Sequence, residues 1–362
     1  MPDHFASAVS KDRRKGRGAA GNPAVRFEST HHELVDDGWG RDEELPPVRT
    51  EVSVELPRSV IARNSSPDLG FDRSINPYRG CEHGCIYCFA RPTHAFLGLS
   101  PGLDFETRLI ARPTAPRVLE KQLASKRYRP RSIAIGTNTD PYQPIERKYQ
   151  IMRNILQVLQ AHNHPVGVVT KGTLIERDID ILGGLAAQGL TRVGISLTTL
   201  DRNVARRMEP RVPAPARRLR TIERLAQAGI EVRVMVSPVV PALTDHEMEA
   251  ILTAARDAGA VAASYIMLRL PLEVAPLFRA WLDENFPDRA ARVMGRVRDI
   301  HGGRDYDVGW GKRLTGSGAF AELLAQRFKV ATARLELKRD LPPLRTDLFC
   351  VPARTGDQLT LF

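Results

Sequence analysis

Apolar residues recur along the middle of the chain in two alternating kinds of segment. Short continuous apolar runs indicate buried strands, and longer segments with an apolar residue every three or four positions indicate amphipathic helices. Strands are predicted at 74–78, 132–135, 165–169, 192–197, 231–236 and 261–270. Helices are predicted at 149–160, 178–188, 217–228 and 245–258. A glycine follows three of these helices, as is common where a helix ends: Gly189, Gly229 and Gly259.

Alternation of strands and helices predicts a parallel sheet with helical crossovers. About six βα units fit between residues 72 and 285, two fewer than a closed eightfold barrel contains. We therefore predict an α/β fold with a partial, open barrel of six βα units and extensions at both ends.

The predicted barrel occupies residues 51–285 and is flanked by two extensions. Residues 1–50 form a basic arm that we expect to be partly disordered, since Lys, Arg and Gly dominate 11–18 without an apolar period. Phe27 and Trp39 are apolar exceptions that suggest docking onto the core. Residues 286–362 form a helical C-terminal extension, with predicted helices at 289–300 and 319–328.

Composition and charge narrow the classes of protein that fit this fold. Hydrophobic residues make up 42% of the 362 residues, which excludes disorder of the whole chain. There is no apolar run of transmembrane length and no apolar core of a signal peptide, so we expect a cytoplasmic protein without a membrane partner. The net charge of +11 favours DNA or RNA as a partner, although a basic surface alone gives the same value.

Three of the four cysteines lie within eight residues, as Cys81-x3-Cys85-x2-Cys88. A cytosolic chain does not use such a group for disulfides, and thiolates at this density bind a soft metal centre. Structural zinc is held by four ligands, whereas three cysteines can hold a four-iron cluster and leave one iron open. A zinc site completed by His83 or His94 is the alternative.

The cysteines follow the first predicted strand, and in βα barrels the loops after the strands form the active face. In this position, with Tyr87 before the last cysteine, the motif resembles that of the radical S-adenosylmethionine (SAM) superfamily. Within that superfamily, segments 76–81, 136–146 and 169–171 resemble the branch that contains spore photoproduct lyase. The flanks resemble a bacterial subgroup of that branch that carries the label "DNA repair photolyase", at 15–23 and 358–362.

The resemblance implies an enzyme with a partial barrel of the radical SAM type. Cys81, Cys85 and Cys88 would ligate three irons of a [4Fe-4S] cluster, and SAM would chelate the fourth. Reduction by a donor such as a flavodoxin or ferredoxin would cleave SAM to a 5′-deoxyadenosyl radical, which abstracts hydrogen from the substrate. The substrate is not identified, with nucleic acid as a candidate, and the sequence carries no indication of the oligomeric state.

The resemblance also implies SAM-binding positions: Tyr87, Asn138, Asp140, Lys171 and Ser196. Tyr87 would contact the adenine, or serve as an aromatic wedge beside the cluster. Asp140 precedes Pro141 and is equally suited to a turn cap. Lys171 would pair with the SAM carboxylate, or be a solvated lysine, and Ser196 would contact SAM, or be a strand hydroxyl. Arg233 is a further candidate whose face on its strand the pattern leaves open.

One departure limits what the resemblance implies about the reaction. Spore photoproduct lyase returns a hydrogen atom from a cysteine near its second strand, and residues 133–140 contain no cysteine. The remaining thiol, Cys350, is interpreted as a buried structural cysteine or as a hydrogen donor brought by the C-terminal tail. Reversal of thymine dimers is therefore not carried over, and no catalytic residue is assigned.

The alternative function is a non-catalytic, metal-dependent nucleic-acid-binding protein. Residues 202–224 contain eight arginines and two acids, a density that suits phosphate contacts or a solvated helix face. The polar residues that follow the predicted strands favour the enzyme, because a binding scaffold has no need of them around the cysteines.

Overall fold

The computed structural model describes residues 14–27 and 47–353. In these ranges the strands are β1 (Glu51–Val54), β2 (Ala62–Arg63), β3 (Arg73–Ile75), β4 (Tyr78–Arg79), β5 (Arg108–Ala111), β6 (Ile133–Ile135), β7 (Val166–Thr170), β8 (Thr191–Ser196), β9 (Val232–Val239) and β10 (Ala262–Met267). The helices are α1 (Asp104–Thr107), α2 (Ala115–Leu123), α3 (Glu146–Tyr149), α4 (Ile151–Ala161), α5 (Ile179–Ala186), α6 (Arg202–Met208), α7 (Pro215–Gln227), α8 (Met248–Asp257), α9 (Val274–Asn285), α10 (Pro287–Ile300) and α11 (Ala319–Arg334).

The main sheet has seven strands in the order β10-β9-β8-β7-β6-β3-β2. Six of them are parallel, and β2 is antiparallel to β3 at one edge. Among the described strands, β2 and β10 are the two edges and do not pair with each other. The predicted six parallel strands and the open barrel are therefore confirmed.

The core lies between the parallel sheet and the helices that cover its outer face. Side chains of Val166 and Val168 in β7, and of Val232 and Val234 in β9, are buried. Helices between the strands cover the outer face with their apolar sides, as Ile155 does from α4. Apolar side chains also occur on the other face, where Val169 and Met235 are half-buried, and this explains why the strands contain short continuous apolar runs in the sequence.

Local backbone geometry accounts for where the predicted helices and the observed ones differ. The helix predicted at 149–160 begins instead at Ile151, because Gln150 has a φ of 52° and separates α3 from α4. The helix predicted at 178–188 is preceded by a turn of 3-10 helix at Thr173–Asp178. The sequence did not predict α2 or α9.

A second, three-stranded sheet in the order β1-β5-β4 was also not predicted. Strand β1 has four residues that are mostly exposed and β4 has two residues, so neither forms a buried apolar run of the kind that identified the other strands. The sheet matters because β4 leads directly into Cys81.

The two extensions are described in part. Residues 14–27 are placed, whereas Lys11, Trp39 and the chain end at 358–362 lie outside the described residues. In the C-terminal extension, α10 and α11 lie where helices are predicted, and α11 continues to Arg334. No helix in the described part of the chain has both the length and the apolarity that crossing a bilayer requires.

The loop between α10 and α11, residues 301–318, connects the two edges of the open sheet, and we call it the closing loop. Its Leu314 oxygen accepts a hydrogen bond of 2.8 Å from the Met267 amide at the end of β10. Its Arg313 pairs with Asp68, at 2.9 Å, in the segment that joins β2 to β3. The closing loop therefore spans the side on which the barrel is open.

Candidate active site

A cavity of about 480 Å³ lies at the carboxyl ends of the parallel strands. This volume falls in the range of small-molecule and cofactor sites. Every parallel strand contributes to it through its last residues or the loop that follows, and the contributing residues include Asn76, Asn138, Lys171, Ser196, Ser237 and Met267.

The cysteine loop, residues 81–88, forms one wall of this cavity. Cys85 and Cys88 line the cavity, and Cys81 packs with Cys88 against Phe105 and Ala90. Burial raises the pKa of the Cys81 thiol, and the charges of Asp140 and the other two cysteines raise it further. Burial also raises the pKa of Cys85. Thiols in this state become thiolates when a metal supplies positive charge, so the donor set fits an iron–sulfur centre.

The side chain of Arg91 holds the backbone of the cysteine loop in place. Its guanidinium is fully buried and donates to the carbonyl oxygens of Cys85, at 3.0 Å, and Gly102, at 2.9 Å. It also pairs at 2.5 Å with the carboxylate of Glu106, which is buried as well. A buried arginine is stable only with such a partner, so Glu106 is part of the support of the loop.

The N-terminal segment 14–27 packs directly on the cysteine loop. The Glu106 carboxylate accepts hydrogen bonds from the amides of Gly18, at 2.8 Å, and Ala19, at 2.9 Å. Arg17 donates to the Glu106 carbonyl oxygen at 2.9 Å. A Cβ atom at Gly18 would lie 2.0 Å from the Gly84 oxygen, so only glycine allows this approach.

Tyr87 lines the cavity with its ring, and its hydroxyl is held by a buried polar network. The hydroxyl donates to Glu209, which also accepts from Thr198, at 2.9 Å, and Arg218, at 2.7 Å. Burial alone would raise the pKa of Glu209, but the charges of Arg218 and Lys171 outweigh it and lower that pKa. This network fixes the plane of the Tyr87 ring beside Cys85.

Asn138, Lys171 and Ser196, which the resemblance gives as SAM-binding positions, line the cavity. Lys171 is half-buried, and its ammonium nitrogen lies 5.8 Å from the centroid of the Tyr87 ring. Burial alone would lower the pKa of Lys171, but nearby negative groups raise it, so the side chain stays charged.

Asp140 is not among the residues that line the cavity, and its contacts are those of the turn cap that the sequence left open beside a SAM contact. Its oxygens accept from the Lys171 amide at 2.8 Å, the Thr170 hydroxyl at 2.6 Å and the Tyr142 amide at 2.9 Å. Burial would raise its pKa, but the nearby His83 and these donors lower it to about 2. Asp140 is therefore a positioning residue that ties the ends of β6 and β7 together.

The histidines of the zinc alternative have other partners. His83 Nδ1 lies 3.3 Å from the Asp140 carboxylate. His94 Nε2 lies 2.9 Å from the Arg108 oxygen, with its ring edge-on to Phe105. Neither imidazole lines the cavity into which Cys85 and Cys88 face.

Two other sequence-based candidates lie away from the cavity. Arg233 donates to the carbonyl oxygens of Ala263 and Arg339. Cys350 is exposed rather than buried, and its amide bonds to the His162 oxygen ahead of β7. Because that is the amino end of the sheet, Cys350 lies at the opposite end from the cavity and is not placed to donate hydrogen there.

Several residues of the cavity were not predicted. Phe89, Arg269 and Arg313 line it, and Glu209 and Arg218 support it. Arg269 follows β10 directly, so a prediction of where that strand ends would have identified it. Glu209 and Arg218 lie in the arginine-rich stretch, where charge pattern alone indicates a surface.

A further groove, of about 300 Å³, borders the cysteine loop at His83. Arg147 and Arg211 flank it. Arg211 also bonds to the loop, through its amide to the His83 oxygen and through its guanidinium to Glu82. Arg147 is exposed and forms no ion pair with the carboxylates of the described residues.

Two relatives are similar to this chain over much of its length. An uncharacterised protein of Mycobacterium tuberculosis is 35% identical over 298 residues, which cover 81% of this chain and 83% of the relative. An uncharacterised protein of Methanocaldococcus jannaschii is 25% identical over 215 residues, which cover 59% of this chain and 76% of the relative.

Solved structures of spore photoproduct lyase have a similar fold. A complex of that enzyme with dinucleoside spore photoproduct matches with a TM-score of 0.57 and 16% identity, covering 78% of this chain and 79% of that one. A variant with bound AdoMet and the same dinucleoside matches equally well. At this identity the likeness shows the fold alone.

Residues 75–255, which include the cysteine loop and most of the parallel sheet, match the model of the radical SAM superfamily. Membership implies an enzyme that uses an iron–sulfur cluster and SAM and that generally needs a reductant. The cysteine loop, the open parallel barrel and the sequence match lead to one conclusion: the chain belongs to the radical SAM superfamily.

Proposed function

We propose that this enzyme holds a [4Fe-4S] cluster on Cys81, Cys85 and Cys88 and cleaves SAM reductively. When bound, the cluster and SAM together supply a 5′-deoxyadenosyl radical that takes a hydrogen atom from the substrate. The observation that carries the proposal is that Cys85 and Cys88 face the same cavity as the polar ends of the parallel strands.

The polar residues of the cavity suit the charged parts of SAM. Lys171 is a cation in a half-buried position and would pair with the carboxylate. The Asn138 amide and the Ser196 hydroxyl, which lie in the same cavity, would bond to the methionine amino and carboxylate groups. Tyr87, held by Glu209, would support the adenine with its ring.

Apolar side chains make up much of the remaining wall of the cavity. Val169, Met235, Met267 and Leu314 all line it. Such a wall excludes water and so protects a reactive radical from side reactions.

Nucleic acid is the candidate substrate that the net charge of +11 favours. The arginine-rich stretch at residues 202–224 adds little support for a nucleic-acid substrate, because four of its eight arginines pair with carboxylates of the same chain. Their partners are Glu82, Glu176 and Glu209. For the same reason the non-catalytic nucleic-acid-binding function is the weaker alternative.

The groove at His83 is the proposed docking site of the electron donor. His83 lies between Cys81 and Cys85 in the sequence, so a carrier bound there comes close to the metal centre. The exposed Arg147, which has no ion pair among the described residues, gives the groove positive charge, whereas Arg211 is paired with Glu82. A positive groove suits an acidic carrier such as a flavodoxin or ferredoxin.

The test is anaerobic reconstitution with iron and sulfide, followed by dithionite, SAM and measurement of 5′-deoxyadenosine. We expect absorbance near 400 nm and 5′-deoxyadenosine from the wild type, and neither from Cys85→Ala. Cys350→Ala, at the other end of the sheet, is the matched control and retains both. Cleavage of SAM by Cys85→Ala, or a colourless wild type with one tightly bound zinc, contradicts the proposal.

A further inference from the structure

Two guanidinium groups face the cavity on the side that the closing loop covers. Arg269 follows β10, and Arg313 belongs to the closing loop. They lie close enough for the charge of Arg313 to lower the pKa of Arg269. Two like charges in one cavity need an explanation, because they repel each other and are partly removed from water.

The two arginines differ in how their charges are balanced. Arg313 pairs with Asp68 at 2.9 Å and stacks over the Trp310 ring at 4.3 Å. Arg269 forms no ion pair with any carboxylate of the described residues. Tyr306 is near enough to raise the pKa of Arg269, and the Arg269 guanidinium stacks over the Phe89 ring at 4.1 Å.

Burial is the largest cause that lowers the pKa of Arg269, yet an arginine stays protonated at neutral pH. The cavity therefore carries a positive charge that no described carboxylate neutralises. The stack on Phe89 fixes the plane of the guanidinium and leaves its edge to donate hydrogen bonds. A planar fork of this kind binds carboxylates and phosphates through two parallel bonds.

We propose that Arg269, with Arg313 beside it, binds an anionic group of the substrate, a phosphate or a carboxylate. The inference rests on the proposed function, because it assigns the substrate side of the same cavity. Lys171, on the loop after β7, is the separate cation proposed for SAM. The metal centre is the alternative partner of the Arg269 guanidinium, because a negative charge on Cys88 raises the pKa of Arg269.

The experiment is titration calorimetry of inorganic phosphate, and separately of acetate, into cluster-loaded protein without SAM at constant ionic strength. Wild type is compared with Arg269→Gln, Arg269→Lys and the control Arg127→Gln. Arg127 is exposed in the loop ahead of β6, at the opposite end of the sheet. Iron per protein, SAM affinity and dithionite-driven SAM cleavage are measured for each variant.

We expect Arg269→Gln to weaken binding of the preferred anion about tenfold or more, because a charge-assisted pair of hydrogen bonds is lost. Arg269→Lys keeps the charge but loses the second parallel hydrogen bond and the stacked plane, so its affinity should fall between those of the wild type and Arg269→Gln. Arg127→Gln should not change the affinity. Tighter phosphate binding identifies a phosphate ester as the substrate group, and tighter acetate binding identifies a carboxylate.

Equal anion affinity in the wild type and Arg269→Gln overturns the inference. So does an Arg269→Gln variant that loses iron or SAM affinity while its anion binding is unchanged, because the guanidinium then serves the cofactors. In either case SAM cleavage by the wild type leaves the proposed function intact. If the wild type cleaves no SAM, the proposed function fails and this inference falls with it.

Discussion

Replacing Glu106 by glutamine tests whether the support of the cysteine loop is electrostatic. The substitution keeps the size and shape of the side chain but removes its negative charge. Arg91 would then be a fully buried cation without a counter-charge. The amides of Gly18 and Ala19 would lose an ionised acceptor at 2.8 and 2.9 Å.

The magnitude follows from the burial of the pair. Breaking a buried ion pair from one side costs about 3–5 kcal/mol, because the remaining charge stays out of water. The carbonyl oxygens of Cys85 and Gly102 still solvate Arg91, so we expect the lower half of that range. The Cys85 backbone should also become less well fixed, which lowers the iron bound after reconstitution.

The assay is unfolding of the metal-free protein in denaturant, with iron content as a second readout. Glu231→Gln is the matched control, since Glu231 pairs with Arg192 at 2.6 Å in a partly exposed position. Exposed pairs contribute about 0–1 kcal/mol. If Glu106→Gln lowers the free energy of unfolding no more than Glu231→Gln does, the reasoning about the buried pair is wrong.

Two further predictions concern other parts of the molecule. Burial lowers the pKa of His164 to about 4. As the pH falls, the His164 imidazole is therefore protonated in the unfolded chain before it is protonated in the folded protein. The free energy of unfolding of the metal-free protein should therefore fall by about 2–3 kcal/mol between pH 7 and pH 4.5 because of this histidine. His164→Gln should remove that part of the pH dependence. If the variant and the wild type show the same dependence of unfolding free energy on pH, the prediction is wrong. Arg147→Glu should raise the KM for reduced flavodoxin about fivefold and leave dithionite-driven SAM cleavage unchanged, with Arg127→Glu as control. Equal KM values for the two variants would rule out docking at the His83 groove.

The parallel strands were predictable because the residues on their helix-covered face are buried and several on the other face, such as Val169 and Met235, are apolar as well. The predicted strand 165–169 corresponds to Val166–Thr170, and 192–197 to Thr191–Ser196. Strand β1 was not predictable in this way, since it is short and mostly exposed. Its pairing with β5 is a long-range contact that no local pattern records.

The site was predictable where spacing along the chain carries the information. The three cysteines share one loop, so their spacing alone indicated a metal centre. For Asp140 the sequence left a SAM contact and a turn cap equally open, because a polar residue at a strand end can face the cavity or cap its neighbours and local sequence does not distinguish the two. Arg269 was missed because the predicted strand ran to 270, whereas β10 ends at Met267.

The closing loop and the parallel sheet supply different walls of the cavity. The sheet ends and the cysteine loop provide the groups proposed for the cofactors, and the closing loop provides Arg313 and Leu314. The closing loop is joined to the sheet edge by a backbone hydrogen bond and to the opposite side by Arg313 and Asp68. A change in the length or side chains of the closing loop would therefore reshape the wall that carries Arg313 and Leu314 and leave the cysteine loop and the strand ends in place.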